Sequence, residues 1–335
     1  MTARLFAVGV PGPELSDADR GILRRHPPWG VILFRRNIET AAQLSALTAD
    51  LKGLPGPPVL CLDQEGGPVD RLQPILGPSI SFGAAARTGV ARRAGELAGE
   101  SCRAFGFDVD LAPVVDRSLP EAGAVYLGER CAASEPERVE RAAREYLEGL
   151  HANGVGGCLK HFPGLGRARM DTHKSLPALP ADPSEEKKDL APFAALMDAA
   201  GAVMISHAAG PDGKPASLSP SVATLLLRSR LGFTGAAFSD DLEMGALSAF
   251  GGLPERAASA CVAGCDLLLV CKELPQYAEC VAAVQKDVAP KRRAEAARRL
   301  QIYRRHLETM QELAPPMRSV SEVIADVAAL RSQSA

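Results

Sequence analysis

Eight short apolar runs recur along this 335-residue chain, and they constrain its fold more than any other feature. Most of them lack an alternation of polar and apolar residues, which is typical of parallel strands covered on both faces. We predict that each run forms one strand. The runs are LFAVGV from Leu5, WGVILF from Trp29, VLCLD from Val59, DVDLAPVV from Asp108, GGCLKH from Gly156, AVMISH from Ala202, GAAFSD from Gly235 and CDLLLV from Cys265.

The segments between these runs carry the periodicity of helices. In one of these segments, Ser134 and Glu137 have the spacing of a capping box, which predicts the start of a helix. Six apolar residues then share one helix face, and Asn153-Gly154 predicts the end of the helix. We expect a helix there, with further helices over residues 15–25, 40–52, 91–105, 220–231 and 254–263.

Strands that alternate with helices predict an α/β fold, specifically a single (β/α)8 barrel of the TIM type. An open doubly wound sheet is the alternative, but no G-x-G-x-x-G follows the first run. Residues 1–335 are therefore expected to form one catalytic domain, with the barrel core over about 5–290. A charged helical extension over about 291–330 is expected to pack on the outside.

The charge and composition of the chain argue against nucleic acid and membranes as its binding partners. Lys plus Arg (38) nearly balances Asp plus Glu (40), so no global field attracts nucleic acid or an anionic membrane. No apolar stretch reaches the roughly 18 residues of a membrane span, and the N-terminus lacks a signal-peptide pattern, so we expect a cytoplasmic location. The eight cysteines lack C-x-x-C spacing and are expected to be buried free thiols, with no metal and no cofactor.

Polar side chains gather where the predicted strands end. The active site of a (β/α)8 barrel lies at the C-terminal ends of its strands. One ionisable residue at a strand end is commonly a structural group, but four such strands favour a polar pocket. The residues are Asp63 at the end of the third run and Glu65 shortly after it, Lys160 and His161 at the end of the fifth, His207 at the end of the sixth, and Asp240 at the end of the seventh with Asp241 directly after it.

A long loop over residues 160–177 contains the triplet Asp171-Thr172-His173. Because Asp171 and His173 are two residues apart, the carboxylate can accept a hydrogen bond from the imidazole and raise its proton affinity. Such a pair suits general acid/base catalysis. A surface turn with an idle histidine is the alternative.

Five segments together resemble the family 3 glycoside hydrolases, and more narrowly their single-domain bacterial β-N-acetylglucosaminidases. Each motif is weak alone, but the set, in the order of the family, is specific. The segments are LDQEGGPVDRL (62–72), DLAPVVD (110–116), GERC (128–131), KHFPGLG with DTH (160–173) and FSDDLEM (238–244).

The resemblance implies roles for the matching positions. Asp240 falls where the family has its nucleophile, and His173 where the single-domain branch has its acid/base, with Asp171 as partner. Carboxylates and cationic donors can grip adjacent sugar hydroxyls. Leu165 stands where many relatives have His, and Pro68 stands where many have Arg. These two differences concern the conformation of the loop and the outer part of the pocket. The sugar-binding positions of the family are occupied by Asp63, Arg71, Arg130, Lys160 and His161.

Asp240 and Asp241 are neighbours on a strand, so only one of them is expected to face the site. The resemblance selects Asp240. Relatives that take their acid/base from a following domain are far longer, so the proton donor is expected from the barrel itself. Glu65, Asp116 and His207 are expected along the same rim, where positioning and structural roles both remain open.

The resemblance implies retaining, exo-acting hydrolysis of terminal β-linked N-acetylglucosamine, from muropeptides of the cell wall, by a monomer. A glycoside phosphorylase with the same residues and a non-catalytic sugar-binding barrel are alternatives. A metal-dependent hydrolase is a third, although the first run lacks the H-x-H of many such barrels. Its ligands would come from His161, His173, His207, Asp63 and Asp240.

Overall fold

The computed structural model describes residues 2–119, 127–168, 176–177 and 182–333, and eight parallel strands form one sheet within them. Each of the eight apolar runs contains one strand, as predicted. The strands are β1 (Phe6–Gly9), β2 (Gly30–Ile32), β3 (Val59–Leu62), β4 (Val109–Asp110), β5 (Leu159–Phe162), β6 (Ala202–Ile205), β7 (Ala236–Asp241) and β8 (Leu267–Val270).

The sheet closes on itself. Its order is β4-β3-β2-β1-β8-β7-β6-β5, and the pairings within it are parallel. The two outer strands then meet, because the N–H of Asp110 donates to the carbonyl of Gly156 at 2.9 Å and that of Val115 to the carbonyl of Lys160 at 2.8 Å. The prediction of a (β/α)8 barrel is confirmed, and the doubly wound alternative is wrong.

Helices surround the strands. The helix expected after Ser134 begins instead at Pro136, with Glu135 as its N-cap, so the capping-box prediction is wrong. Proline suits a first helical position because that N–H needs no partner within the helix. The segment after β6 is a π-helix, Ser221–Arg230. The α-helices are α1 (Asp17–Arg25), α2 (Ala41–Lys52), α3 (Gln73–Leu76), α4 (Phe82–Thr88), α5 (Ala91–Ala104), α6 (Pro136–Ala152), α7 (Pro183–Ala200), α8 (Leu253–Ala263), α9 (Tyr277–Asp287), α10 (Pro290–Leu313) and α11 (Val320–Gln333).

The strands lie in the core. Every residue of β1, β2, β3, β5, β6 and β8 is buried, which explains why their sequences do not alternate. All eight cysteines are buried free thiols, as expected. In the described part of the chain, no helix combines the length and the apolar character that crossing a membrane requires.

The C-terminal extension consists of two helices, and α10 covers the N-terminal ends of the strands rather than only the outside of the barrel. The Tyr303 ring stacks on Trp29, which directly precedes β2, with the ring centroids 6.2 Å apart. Its hydroxyl donates to the carbonyl of Gly157, before β5, at 2.9 Å. The following helix, α11, is tied to α5 by an ion pair between Asp326 and Arg93 at 2.7 Å. The C-terminal ends of the strands lie at the opposite end of the barrel.

Candidate active site

A cavity of about 320 Å³ lies at the C-terminal ends of the strands, within the roughly 300–1,000 Å³ of small-molecule sites. Apolar side chains from several strand ends share its wall with the charged ones, among them Ile32, Leu111, Met204 and Leu269. The predicted residues Asp171 and His173 lie outside the described residues. The structure brings the other predicted site residues together on the cavity wall: Asp63, Arg71, Arg130, Lys160, His161 and Asp240.

A small antiparallel hairpin of Gln64–Gly66 and Val69–Asp70 follows β3 and positions the acidic side of the cavity. The backbone N–H of Gln64 donates to Asp110 Oδ1 at 2.8 Å, and its side-chain amide donates to Asp70 Oδ1 at 2.7 Å. Gly66 has a φ of 75°, and a Cβ there would lie 1.9 Å from the carbonyl oxygen of Ile80. Only glycine therefore fits this turn as it is built.

The hairpin turns Asp63 and Glu65 toward one buried lysine. Lys160 Nζ lies 2.7 Å from Asp63 Oδ1 and 2.5 Å from Glu65 Oε1. Burial alone would raise the pKa of Asp63, but the charges of Lys160 and Arg71 outweigh it and hold that pKa well below the usual carboxyl value. Burial likewise opposes the charge on Lys160, yet Asp63 and Glu65 raise the pKa of the lysine. Asp63 and Lys160 are therefore both charged at neutral pH.

Arg130 joins the same network through Glu65. Its Nε and Nη2 donate to the two oxygens of Glu65 at 2.7 and 3.0 Å. Burial alone would raise the pKa of Glu65, but Lys160 and Arg130 lower it to about 2. Lys160 and His161 are consecutive in β5, are joined by a cis peptide bond, and both line the cavity.

The imidazole of His161 has a defined tautomer. Its Nδ1 lies 2.6 Å from Asp116 Oδ2, and its Nε2 lies 3.3 Å from Arg130 Nη2. An arginine N–H can only donate, so Nε2 accepts and Nδ1 carries the proton. Asp116 also accepts the backbone N–H of Leu165 at 2.7 Å, which fixes the start of the loop after β5.

Asp116 and His207 are fully buried behind the cavity wall, so the expectation that they lie along the rim is wrong. His207 Nδ1 lies 2.7 Å from the hydroxyl of Ser217, and Nε2 lies 2.8 Å from the carbonyl of Asp241, to which it donates. The ring nitrogens of His161 and His207 are thus occupied. Among the described residues, no three His, Cys, Asp or Glu side chains cluster as a metal site would require.

Asp240 and Asp241, at the end of β7, both border the cavity. The register between β7 and β8 shifts within this stretch, because Leu267 pairs with Phe238 but Leu269 pairs with Asp241. Such a bulge breaks the alternation of side chains on a strand. Burial raises the pKa of Asp241 to about 6, against a hydrogen bond from the N–H of Glu243.

Asp240 differs from the other carboxylates of the cavity in its partners. Its Oδ1 accepts the backbone N–H of Asp241 at 2.8 Å. Across the described ranges it forms no ion pair, whereas Asp63 and Glu65 are each held by two cations. Within the same ranges, the buried Nε of Arg71 has no hydrogen-bond partner. The cavity wall thus carries hydrogen-bond donors together with a carboxylate that forms no ion pair within the described ranges.

The sequence predicts Glu65 on the rim with a positioning or a structural role, and the structure shows that it contacts both Lys160 and Arg130. The spacing of Asp63 and Glu65 could have indicated this contact. The two residues are two positions apart, and alternate residues of an extended segment share a face. Leu165, one of the two departures from the family pattern, is buried on the cavity wall.

Comparisons with known proteins agree with this geometry. Residues 3–302 match the model of the glycosyl hydrolase family 3 N-terminal domain. A beta-hexosaminidase of Xanthomonas campestris pv. campestris (strain B100) is 38% identical over 287 residues, which cover 80% of this chain and 84% of that protein.

Solved structures resemble the whole barrel. A glycoside hydrolase family 3 beta-N-acetylglucosaminidase from Paenibacillus sp. str. FPU-7 superposes with a TM-score of 0.85 at 30% identity, covering 98% of this chain and 67% of that one. NagZ from Neisseria gonorrhoeae, solved in complex with N-trifluoroacetyl-D-glucosamine, gives a TM-score of 0.79 at 28% identity, covering 93% and 98%. The chain therefore belongs to glycosyl hydrolase family 3 and is a glycoside hydrolase.

Proposed function

We propose that this enzyme removes terminal β-linked N-acetylglucosamine from its substrates by a retaining mechanism, with Asp240 as the nucleophile. The observation that carries the proposal is the carboxylate of Asp240, which forms no ion pair within the described residues and borders the same cavity as the cations Lys160 and Arg130. A nucleophile needs a lone pair that is not bound to a neighbouring cation, and within the described residues Asp240 meets that condition.

In the proposed mechanism, ionised Asp240 attacks the anomeric carbon while protonated His173 gives its proton to the leaving oxygen. A glycosyl-enzyme ester forms, and neutral His173, held by Asp171, then takes a proton from the water that releases the sugar. Most retaining glycosidases use two carboxyl groups, so an imidazole in this role is a variation on that arrangement.

The charged network of the cavity is proposed to hold the sugar ring. Asp63 and Lys160 would accept from and donate to adjacent hydroxyls, and Arg71, Arg130 and His161 would supply further contacts. Such contacts fix the anomeric carbon in line with the attacking oxygen. The N-acyl glucosamine bound by the neisserial relative and the names of the hexosaminidase relatives support the sugar class.

We propose muropeptides from the cell wall as the natural substrates, acted on by a monomer in the cytoplasm. The aglycone is open to direct measurement, because hydrolysis of a purified muropeptide can be compared with that of a chitin oligomer. A preference for the chitin oligomer would contradict the cell-wall assignment and leave the glycone assignment intact.

The nucleophile is tested with Asp240→Ala and an aryl β-N-acetylglucosaminide. We expect kcat/KM to fall by roughly 10⁴-fold or more. Asp241→Asn is the matched control at the neighbouring carboxylate, and we expect it to lose far less. Undiminished turnover by Asp240→Ala would reject the assignment.

The acid/base role is tested by the dependence on the leaving group. His173→Ala is expected to lose about 10²–10⁴-fold with a substrate whose leaving group needs a proton. With a nitrophenyl leaving group, which departs unprotonated, the first step should lose much less. Equal losses with both substrates would show that His173 only binds.

A further inference from the structure

We propose that Glu65 is a positioning residue that couples Arg130 and Lys160, so that the two sugar-gripping cations act as one preorganised unit. The inference rests on the proposed function and deepens it. It concerns a carboxylate to which the family resemblance gives no role.

Both oxygens of Glu65 are bound to cations. Oε1 lies 2.5 Å from Lys160 Nζ and 3.0 Å from Arg130 Nη2, and Oε2 lies 2.7 Å from Arg130 Nε. Its side chain is 1% exposed, whereas that of Arg130 is 15% exposed. Glu65 therefore acts on the sugar only through the two cations it holds.

The two hydrogen bonds to Glu65 set the orientation of the Arg130 guanidinium group. Glu65 takes Nε and Nη2, and Nη2 also donates to His161 Nε2 at 3.3 Å. In the described part of the chain, Nη1 makes no comparable contact. A bidentate arginine–carboxylate pair fixes the guanidinium plane, so Nη1 is held ready for a hydroxyl without a change of rotamer.

The balance of charge in this network also depends on Glu65. Three cations, Arg71, Arg130 and Lys160, meet two carboxylates, Asp63 and Glu65, in this buried network. Loss of the Glu65 charge would leave Arg130 and Lys160 to repel one another with little solvent between them. Both would then move away from the geometry that grips the substrate.

Glu65→Gln tests the coupling, because an amide keeps the shape and loses the charge. In either orientation, its NH₂ group faces a donor, Arg130 Nε or the pair of Lys160 and Arg130 Nη2. We expect kcat/KM, normalised to the folded fraction, to fall about 100-fold, as a misplaced binding group does. Glu100→Gln is the matched control: Glu100 lies 2.7 Å from Arg318 and 3.5 Å from Arg93, away from the cavity. It should turn over like the wild type.

A double-mutant cycle separates positioning from a structural role. In the Arg130→Ala background, the amide introduced by Glu65→Gln can turn its oxygen toward Lys160. The further fall in kcat/KM that Glu65→Gln causes in this background should therefore shrink to less than about fivefold. Losses that multiply in full, or Glu65→Gln within about threefold of the wild type, would overturn the inference and leave the proposed function standing. A wild-type chain without turnover would overturn both.

Discussion

Asp110 is a buried carboxyl group that lies beside the hydroxyl of Tyr146. The hydroxyl of Tyr146 lies 3.1 Å from Asp110 Oδ2 and 3.1 Å from the carbonyl oxygen of Gln64. One hydroxyl proton serves only one of these two acceptors. If Asp110 carries a proton on Oδ2, it donates to Tyr146, and Tyr146 donates to Gln64. Burial, against the N–H of Gln64, raises the pKa of Asp110 to about 7.

Asp110→Asn is therefore expected to remove a pH dependence of stability. Because the folded-state pKa lies above the ordinary value of 3.8, the stabilisation from the bound proton is present below about pH 4 and lost as pH rises through 7. The variant should gain stability relative to the wild type between about pH 5 and 7, by up to about 1.4 kcal/mol per pH unit. Urea unfolding across pH measures this, and a difference that is constant with pH would contradict it.

Residue types at strand ends predicted much of the cavity, but not the partners of each residue. Asp63, Lys160 and Asp240 were predicted from their positions at the ends of apolar runs, and the family pattern added Arg71 and Arg130. The tautomer of His161 and the burial of His207 depend on contacts between segments far apart in the chain, which periodicity does not encode.

At the scale of elements, the hairpin after β3 determines where Glu65 lies. It was absent from the prediction because its strands, Gln64–Gly66 and Val69–Asp70, are too short and too polar to form an apolar run. The strands of the barrel were predictable because burial on both faces leaves a continuous apolar signal. The bulge in β7 was not, because it arises from pairing with β8.

Gly66→Ala is expected to displace this hairpin. The positive φ alone costs about 1–2 kcal/mol for alanine, and the clash with the carbonyl oxygen of Ile80 adds about 1–3 kcal/mol. Denaturant unfolding measures the loss, and kcat/KM should fall with it because Glu65 is the preceding residue. Gly89→Ala is the control, since Gly89 has a φ of 73° but no atom within 4 Å of the added Cβ. Equal losses of stability in both variants would show that the clash is relieved.

At the scale of the whole molecule, the two ends of the barrel are assigned to different tasks. The helix α10 covers the N-terminal ends, where Tyr303 packs against Trp29 and Phe238, with its ring centroid 5.9 Å from that of Phe238. The charged cavity occupies the C-terminal ends. Conformational stability and catalysis should therefore respond to different substitutions.

Tyr303→Ala tests this separation. It should lower the free energy of unfolding by about 3–5 kcal/mol, because a large buried ring is removed. Tyr303→Phe should cost only about 1 kcal/mol, for the hydrogen bond to Gly157. In both variants kcat per folded molecule should equal that of the wild type. A fall in kcat in proportion to the lost stability would show that the two ends are coupled.

The covalent role of Asp240 is tested most directly by trapping the glycosyl-enzyme with a slow 2-fluoro sugar and mapping the labelled peptide by mass spectrometry. We expect the wild-type chain to gain one sugar mass, with fragmentation assigning it to Asp240, and Asp240→Ala to remain unlabelled. A label on Asp241 or on another residue, or no label in a chain that turns over the substrate, would contradict the proposed mechanism.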